Sequence, residues 1–212
     1  SADTELLCGA NAHYILLRAE NEKWLYLGQD AGYQSNGAIN ICDQDERGHL
    51  FVSTSSGLFR SKKPMNNTYY NQLKSSGRAD SLRPVIYAVD TVMEKVQLSY
   101  QDSVFDDLVG NIIIVKDEIW VTIPSGVLVL STDNLEGLAW IRPPADYLNG
   151  IPMTATLIDD KLWGGTIHGL YEYDIKSHEL VRHVKGQDGL LGYANGGAKT
   201  LASDKTGKLY YG

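Results

Sequence analysis

The sequence predicts an all-β fold built from one small hairpin unit that recurs along the chain. The unit is clearest at 159–173 (DDKLWGGTIHGLYEY) and recurs at 45–60 (DERGHLFVSTSSGLFR). A looser copy occupies 117–130 (DEIWVTIPSGVLVL), and a fourth begins at Asp204. Such repetition indicates a fold assembled from copies of one supersecondary unit. No segment of ten or more residues shows a convincing apolar period of 3.6 residues, so the sequence predicts no such helix.

Each unit has the residue pattern of a β-hairpin. The strand aromatics of the four copies are Phe51, Trp120, Trp163 and Tyr210. A glycine follows six residues after the first three of them, at Gly57, Gly126 and Gly169. Aromatic and β-branched residues suit a pleated, half-buried surface, and by register we expect Phe51, Trp120 and Trp163 to be core strand residues and not ligand contacts. We expect the glycine to supply the positive φ of a tight turn, after which the second strand begins at once.

The spacing of the repeats predicts propeller blades. The four strand aromatics are separated by 69, 43 and 47 residues. A period of about 40 to 50 residues with paired strands is typical of four-stranded blades. Residues 154–184 alone supply four short strands, which make one whole blade. We therefore predict a partial β-propeller of four-stranded antiparallel blades, about four to five of them with the last truncated, as one domain over residues 1–212.

Three regions fit this period less well. Residues 61–110 carry no recognisable repeat and are predicted to form an irregular insertion or a cryptic blade, beginning with a long polar loop or decorated connection over 61–81. Residues 131–152 hold three prolines and are predicted to be rich in loops. A weak early copy framed on Tyr26 lies only 25 residues before Phe51, too short a distance for a full blade.

Charge and composition exclude several classes of protein. The 212 residues carry a net charge of −7 without a basic run, which argues against nucleic-acid binding. No apolar stretch of about 18 residues is present, and the first residues lack the pattern of a signal peptide. Cys8 and Cys42 can pair only if their Cα atoms come within about 7 Å. The preferred interpretation is a Cys42 that is simply buried in its apolar run, AINIC.

The repeat at 160–174 resembles that of two-component regulator propellers, and 45–60 matches it closely. Residues 186–212 (GQDGLLGYANGGAKTLASDKTGKLYYG) are similar to the last blade of such receptors. The resemblance implies the periplasmic sensor region of a hybrid histidine kinase or diguanylate cyclase. Membrane attachment would then come only from parent segments outside this chain, which ends within an expected strand. Members of this family sense polysaccharide fragments, so the implied partner is an unknown small molecule or oligosaccharide.

Five side chains are candidate ligand contacts. Trp140 and Tyr147 lie in AWIRPPADYLNG, outside the repeat, where aromatic rings suit a sugar or another ring-bearing ligand. His168 occupies the turn of the clearest hairpin, and Tyr193 and Asn195 lie in the glycine-rich stretch before the last copy. For each of them, packing or a turn role within the blade is the alternative interpretation.

The sequence shows no pattern that indicates catalysis, a metal or a cofactor. The histidines do not have zinc-binding spacing, and neither a G-x-S-x-G elbow nor a cysteine signature occurs. Acidic pairs or groups occur at 43–46, 106–107 and 159–160. They precede predicted turns, where aspartate accepts hydrogen bonds from backbone amides. Residues 43–48 only partly fit a calcium loop, because Arg47 repels a cation.

Three functions are compatible with these observations. The leading hypothesis is a non-catalytic, ligand-sensing module of a membrane-bound signal-transduction receptor. The first alternative is a streptogramin-lyase-like propeller enzyme, which needs a histidine base such as His168 and a metal. The second is a protein-interaction propeller of the WD-repeat kind, although the G-H and W-D dipeptides are absent in register. Because an open arc of blades exposes strand edges, we expect self-association as a dimer or completion by further sequence.

Overall fold

The computed structural model describes residues 4–8, 15–19, 24–28, 39–82, 84–89, 91–105, 108–142, 154–166, 169–184, 201–204 and 206–211. The chain divides into two compact units, Ser1–Gln97 (unit 1) and Leu98–Gly212 (unit 2). The prediction of one propeller domain over the whole chain stays a prediction. No helix among the described residues has the length and apolar character that crossing a membrane requires.

Unit 1 consists of short strands and one helix. Its elements are β1 (Thr4–Cys8), β2 (Ile15–Ala19), β3 (Trp24–Leu27), β4 (Ile39–Gln44), β5 (Leu50–Thr54), β6 (Gly57–Ser61), α1 (Asn67–Ser76), β7 (Arg78–Ala79), β8 (Val85–Tyr87) and β9 (Met93–Val96). The strands form two sheets. Sheet 1 has the order β1-β2-β3-β8-β7, and sheet 2 has the order β4-β5-β6-β9.

The strands of the two sheets of unit 1 are interleaved along the chain, which explains the irregular spacing of the repeats. After β6 the chain leaves sheet 2, forms α1 and adds β7 and β8 to sheet 1, where β8 runs parallel to β3. It then returns to sheet 2 as β9, antiparallel to β6. The fourth strand of sheet 1 is therefore encoded after three strands of sheet 2. This is why Tyr26 precedes Phe51 by too few residues and why Trp120 follows Phe51 by too many.

The sequence predicts a polar loop or decorated connection over 61–81 and no helix of ten or more residues. Both predictions are wrong for 67–76, which form the ten-residue helix α1. The side chain of Asn66 caps the helix by accepting a hydrogen bond from the Tyr69 amide at 3.0 Å. Tyr69, Tyr70 and Leu73 are buried, while the rest of the helix surface is largely polar. Only one face of the helix is thus apolar, and three buried residues in ten give a periodicity too weak to recognise in the sequence.

The core of unit 1 lies where sheet 1, sheet 2 and α1 meet. Sheet 1 contributes Leu25 and Leu27, sheet 2 contributes Val52 and Phe59, and Tyr70 of the helix packs with them. All five side chains are almost inaccessible to solvent. At about 25 cal/mol per Å² of buried apolar area, such residues supply most of the driving force for folding.

Unit 2 consists of hairpins and antiparallel sheets. Its strands are β10 (Leu98–Tyr100), β11 (Ser103–Phe105), β12 (Ile112–Val115), β13 (Glu118–Ile123), β14 (Gly126–Ser131), β15 (Gly137–Ile141), β16 (Thr154–Ile158), β17 (Lys161–Thr166), β18 (Gly169–Asp174), β19 (Glu179–Val184), β20 (Leu201–Ser203) and β21 (Leu209–Tyr211). Sheet 3 has the order β12-β13-β14-β15 and sheet 4 the order β16-β17-β18-β19, while β10–β11 and β20–β21 form separate hairpins.

Sheets 3 and 4 have the connectivity of propeller blades, with each strand antiparallel to the next along the chain. The blade predicted at 154–184 is confirmed strand by strand. The predicted loop-rich segment is wrong at its start, because 137–141 form β15, the fourth strand of sheet 3. The prolines that suggested a loop all lie beyond this strand.

The repeated hairpins have the turn geometry that the glycine pattern predicts. Gly57, Gly126 and Gly169 have φ angles of 125°, 139° and 132°, which only glycine adopts readily. In two of these hairpins a buried threonine hydroxyl closes the turn. Thr54 donates to the Gly57 carbonyl at 2.9 Å, and Thr166 donates to the Gly169 carbonyl at 3.1 Å.

The strand aromatics of the repeat differ in burial. Phe51 and Trp120 are core residues, as predicted. Trp163 is only half-buried, and the Arg182 guanidinium lies 5.2 Å from its ring centroid. The prediction of a core position is therefore wrong for Trp163. Its indole is on the face of sheet 4 opposite to Tyr171 and Tyr173, which pack against sheet 3.

Candidate functional site

Trp140 lies in strand β15 and is already engaged by side chains of unit 2. The Arg142 guanidinium lies 4.1 Å from its ring centroid, and Phe105 of β11 meets the ring edge-on at 4.8 Å. Its indole nitrogen is buried without a hydrogen-bond partner in the described part of the chain. The ring is therefore partly covered by its own unit, which is the packing role that the sequence left open beside ligand contact.

The other four candidate contacts cannot be placed. Tyr147, His168, Tyr193 and Asn195 lie outside the described residues. Their role in ligand binding therefore stays a prediction.

Asp45 caps a turn, as predicted for the acidic group at 43–46, and Asp204 of the last repeat does the same. Asp45 accepts hydrogen bonds from the amides of Arg47 and His49 at 3.1 and 2.7 Å. Asp204 accepts from the amides two and four residues later in the same way, at 2.9 and 3.0 Å. In both turns the aspartate carbonyl also accepts from the glycine three residues on. Both carboxylates thus act as turn caps, and Asp204 also accepts hydrogen bonds from the hydroxyls of Thr206 and Tyr210.

His49 and Asp45 form a close acid–histidine pair. The His49 Nδ1 lies 3.4 Å from Oδ2 of Asp45, and the carboxylate is 2% exposed. Burial lowers the pKa of His49, and the charge of Arg60 lowers it further, while Asp45 opposes both effects. An imidazole that is neutral near pH 7 is in the protonation state of a general base. The carboxylate of Asp45, however, already caps the turn by accepting from two backbone amides.

Glu118 is the centre of a hydrogen-bonded group between sheets 3 and 4. One carboxylate oxygen accepts from the Trp120 indole nitrogen at 3.1 Å, and the other lies 2.9 Å from Nε2 of His178. The imidazole of His178 also contacts the Trp120 ring edge-on at 5.5 Å, and Trp120 contacts Tyr173 at 6.3 Å. Because Trp120 is buried in the core of unit 2, Glu118 is held in a fixed position at the edge of that core.

A cavity of about 310 Å³ adjoins this group. We call it the Glu118 cavity, and its lining residues are Val115, Lys116, Asp117, Glu118, Ile175 and Lys176. Sheet 3 supplies the first four residues around the turn between β12 and β13. Sheet 4 supplies the other two, just after β18. The cavity therefore combines two apolar side chains with side chains of both charges.

Two ion pairs fix the sheet 4 side of the cavity. Lys176 pairs with Asp160, and Lys161 pairs with Asp174. The bond to Lys176 holds the pKa of Asp160 below its usual value and raises the pKa of Lys176. The pKa of Asp174 lies far below its usual range, first because Lys161 binds it and then because the amides of Ser177 and Lys176 donate to it. The charges of Asp160, Asp174 and Lys176 are therefore present near neutral pH.

Sequence reasoning missed the Glu118 group entirely. Glu118 and Trp120 are two residues apart in the repeat, but His178 lies 60 residues further along and has no motif around it. Only the packing of sheet 4 on sheet 3 brings them together. A φ of 55° at His178, unusual for a residue other than glycine, also has no signature in the sequence.

Cys42 is disulfide-bonded, which corrects the preferred interpretation of a simple buried thiol. The sequence contains one other cysteine, Cys8, and the described part of the chain has no free cysteine. Strand β1, which ends at residue 8, lies beside β4, which contains Cys42. Among the described residues no three histidine, cysteine or acidic side chains are grouped as metal ligands.

Several solved structures of β-propeller and receptor domains are similar in fold to this chain. The extracellular domain of the hybrid two component system BT4673 from B. thetaiotaomicron aligns with 83% of this chain at 18% identity and a TM-score of 0.54. That of BT3049 from the same organism aligns with the whole chain at 16% identity and a TM-score of 0.57. The WD40 β-propeller domain of Doa1 aligns with 94% of the chain at 8% identity and a TM-score of 0.60.

These alignments cover only part of each known structure. The chain spans 19% of the BT4673 domain, 28% of the BT3049 domain and 54% of the Doa1 domain. No protein-family profile and no curated protein sequence matches the chain. At such low identities the likeness establishes architecture, and the four-stranded antiparallel sheets of this chain are blades of a β-propeller fold.

Proposed function

We propose that this chain is part of the extracytoplasmic, ligand-sensing propeller of a membrane-bound signal-transduction receptor and that it catalyses no reaction. The observation that carries the proposal is the structural likeness to extracellular domains of two hybrid two component systems. The repeat and the closing phrase at 186–212 support the same assignment. The parent protein would then carry a cytoplasmic output domain, a histidine kinase or a diguanylate cyclase.

The disulfide of Cys42 supports the extracytoplasmic location. Disulfides persist in the periplasm and outside the cell, whereas cytosolic reductants keep most thiols reduced. Export of the chain to the periplasm should therefore give oxidised protein, and expression in the cytosol should give free thiols. Mass spectrometry after thiol alkylation measures the difference.

Binding without conversion is the expected behaviour of the sensor. A ligand that binds only the folded state raises the melting temperature of the protein. We expect a thermal-shift screen of oligosaccharide fragments and other extracellular small molecules to identify one stabilising class. Mass spectrometry should then recover the ligand unchanged after prolonged incubation. Conversion of the ligand into a product would contradict the proposal and favour a lyase-like enzyme.

The five predicted side chains remain the proposed ligand contacts. For an oligosaccharide, we expect alanine in place of Tyr147 or Tyr193 to weaken binding, because a stacked ring contributes to affinity by contact area. Trp163 gives the matched control, since it is a half-buried aromatic whose position in sheet 4 is known. If the parent protein and the two tyrosine variants bound the oligosaccharide with equal affinity, Tyr147 and Tyr193 would not be ligand contacts.

A further inference from the structure

We propose that the Glu118 cavity binds a small zwitterion that carries an apolar group, namely an α-amino acid with an aliphatic side chain. The cavity volume of about 310 Å³ is at the lower limit for small-molecule sites, which typically measure about 300 to 1,000 Å³. An amino acid is therefore of suitable size. The chemistry of the lining decides which small molecule fits.

Glu118 supplies the partner for the ammonium group of the ligand. Its two carboxylate oxygens are bound by Trp120 and His178, one donor to each oxygen. A carboxylate has about four acceptor positions, so each oxygen retains capacity for a further donor. Because both protein donors come from packed residues, the carboxylate is held in place before a ligand arrives, which limits the entropy lost on binding.

Lys116 supplies the partner for the carboxylate of the ligand. Lys176, the other lysine of the cavity, is paired with Asp160. The Lys116 ammonium makes no ion pair within the described part of the chain. Lys116 also belongs to the two-residue turn between β12 and β13, so its backbone is fixed by the strands on either side.

The remaining lining residues select against other ligand classes. Val115 and Ile175 offer apolar surface for an aliphatic side chain. The lining carries two lysines and two acids, and Asp160 adds a third carboxylate through its pair with Lys176, so the cavity gives no net attraction to a phosphate. An uncharged sugar would offer only neutral hydroxyl groups to the ammonium of Lys116 and the carboxylate of Glu118, whereas a zwitterion makes the stronger hydrogen bonds between opposite charges.

A ligand in this cavity would contact two blades at once. Glu118 and Lys116 belong to sheet 3, whereas Ile175 and Lys176 follow β18 of sheet 4. Such a ligand changes the arrangement of the blades only if it binds two arrangements with different affinity. This regulatory consequence rests on the proposed sensory function, whereas binding itself does not.

Titration calorimetry of the 212-residue protein with L-leucine tests the proposal. We expect saturable binding that weakens about tenfold for N-acetyl-leucine, which lacks the ammonium, and for leucinamide, which lacks the carboxylate. Glu118→Gln and Lys116→Gln should each weaken leucine binding to a similar extent. Glu136→Gln is the matched control, because Glu136 is an exposed acid between β14 and β15 of the same sheet.

The variants also separate loss of binding from loss of folding. Lys116 is exposed, so Lys116→Gln should keep the circular dichroism spectrum and melting temperature of the parent protein. No saturable binding of any aliphatic amino acid, or unchanged binding in both variants, would overturn the proposal. If the thermal-shift screen finds a ligand that is not an amino acid and is unaffected by these variants, the sensory function stands and this site does not.

Discussion

The repeated hairpin depends on single glycines whose surroundings differ. Gly57 and Gly169 have nearly the same φ, 125° and 132°. A Cβ at Gly57 would meet only the flexible end of Lys95, whereas a Cβ at Gly169 would overlap the carbonyl oxygen of Val184 and the imidazole of His183. The same sequence position in the repeat therefore tolerates substitution differently in sheets 2 and 4.

We accordingly expect Gly169→Ala to destabilise the protein more than Gly57→Ala. Positive φ costs each alanine about 1 to 2 kcal/mol. The overlap with Val184 backbone should bring the loss for Gly169→Ala to about 3 kcal/mol, because the strand must move. Urea unfolding followed by circular dichroism measures both values. Equal losses for the two variants would show that backbone conformation alone sets the cost.

Asp204 illustrates how a turn cap makes stability depend on pH. Hydrogen bonds from the Thr206 hydroxyl and the Lys208 amide are the leading causes that lower its pKa to about 2 from an ordinary value of 3.8. A lowered pKa means that the folded state favours the ionised carboxylate. The resulting stabilisation is complete above about pH 4 and is lost as the pH falls through about 2.

Removing the leading donor should therefore move this titration. We expect NMR of the Asp204 carboxyl carbon to give a midpoint near pH 2 in the parent protein and a higher midpoint in Thr206→Val. Thr91→Val provides a control at an exposed threonine outside this turn. A midpoint in Thr206→Val that matches the parent value would contradict the assigned cause.

Among the elements, those with local signals were predictable from the sequence and those with distant partners were not. The strand–glycine–strand pattern identified β5–β6, β13–β14 and β17–β18, because turn and strands lie within about 16 residues. Nothing local indicates that β8 joins sheet 1 beside β3, since the two strands pair across about 60 residues. The Glu118–His178 contact is missed for the same reason, because it forms only when two blades pack.

The hairpin β10–β11 depends on one glycine of a neighbouring sheet. It lies beside β15, and a Cβ at Gly137 would overlap the carbonyl of Ser99 in β10. Gly137→Ala should therefore displace the hairpin from sheet 3 while the sheet itself stays folded. We expect faster amide hydrogen exchange over 98–105 with little change over 118–131.

Leu138→Ala is the matched control for this element, because Leu138 follows Gly137 in β15 but is 43% exposed. It should leave exchange over 98–105 close to that of the parent protein. Unaltered exchange there in Gly137→Ala would show that the hairpin does not need this close approach.

For the molecule as a whole, the disulfide is confined to one of the two units. Both cysteines belong to unit 1, and they are separated by 34 residues. A cross-link that closes a loop of this length contributes about 2 to 4 kcal/mol, in part by restricting the unfolded chain. Reduction or Cys42→Ser should therefore speed amide exchange in β4–β6 and leave β12–β14 nearly unchanged. Equal acceleration in both units would mean that they unfold together.

Self-association is the last expectation that follows from a partial set of blades. Strand β19 is the outer strand of sheet 4, and its Val181 is 48% exposed. An edge strand with an exposed apolar residue can pair with the same edge of a second copy. We therefore expect sedimentation velocity to show a concentration-dependent dimer that Val181→Lys shifts towards monomer, because two such edges would then repel. Val89→Lys, at an equally exposed valine of unit 1, should leave the equilibrium unchanged, and a monomer at every soluble concentration would contradict the expectation.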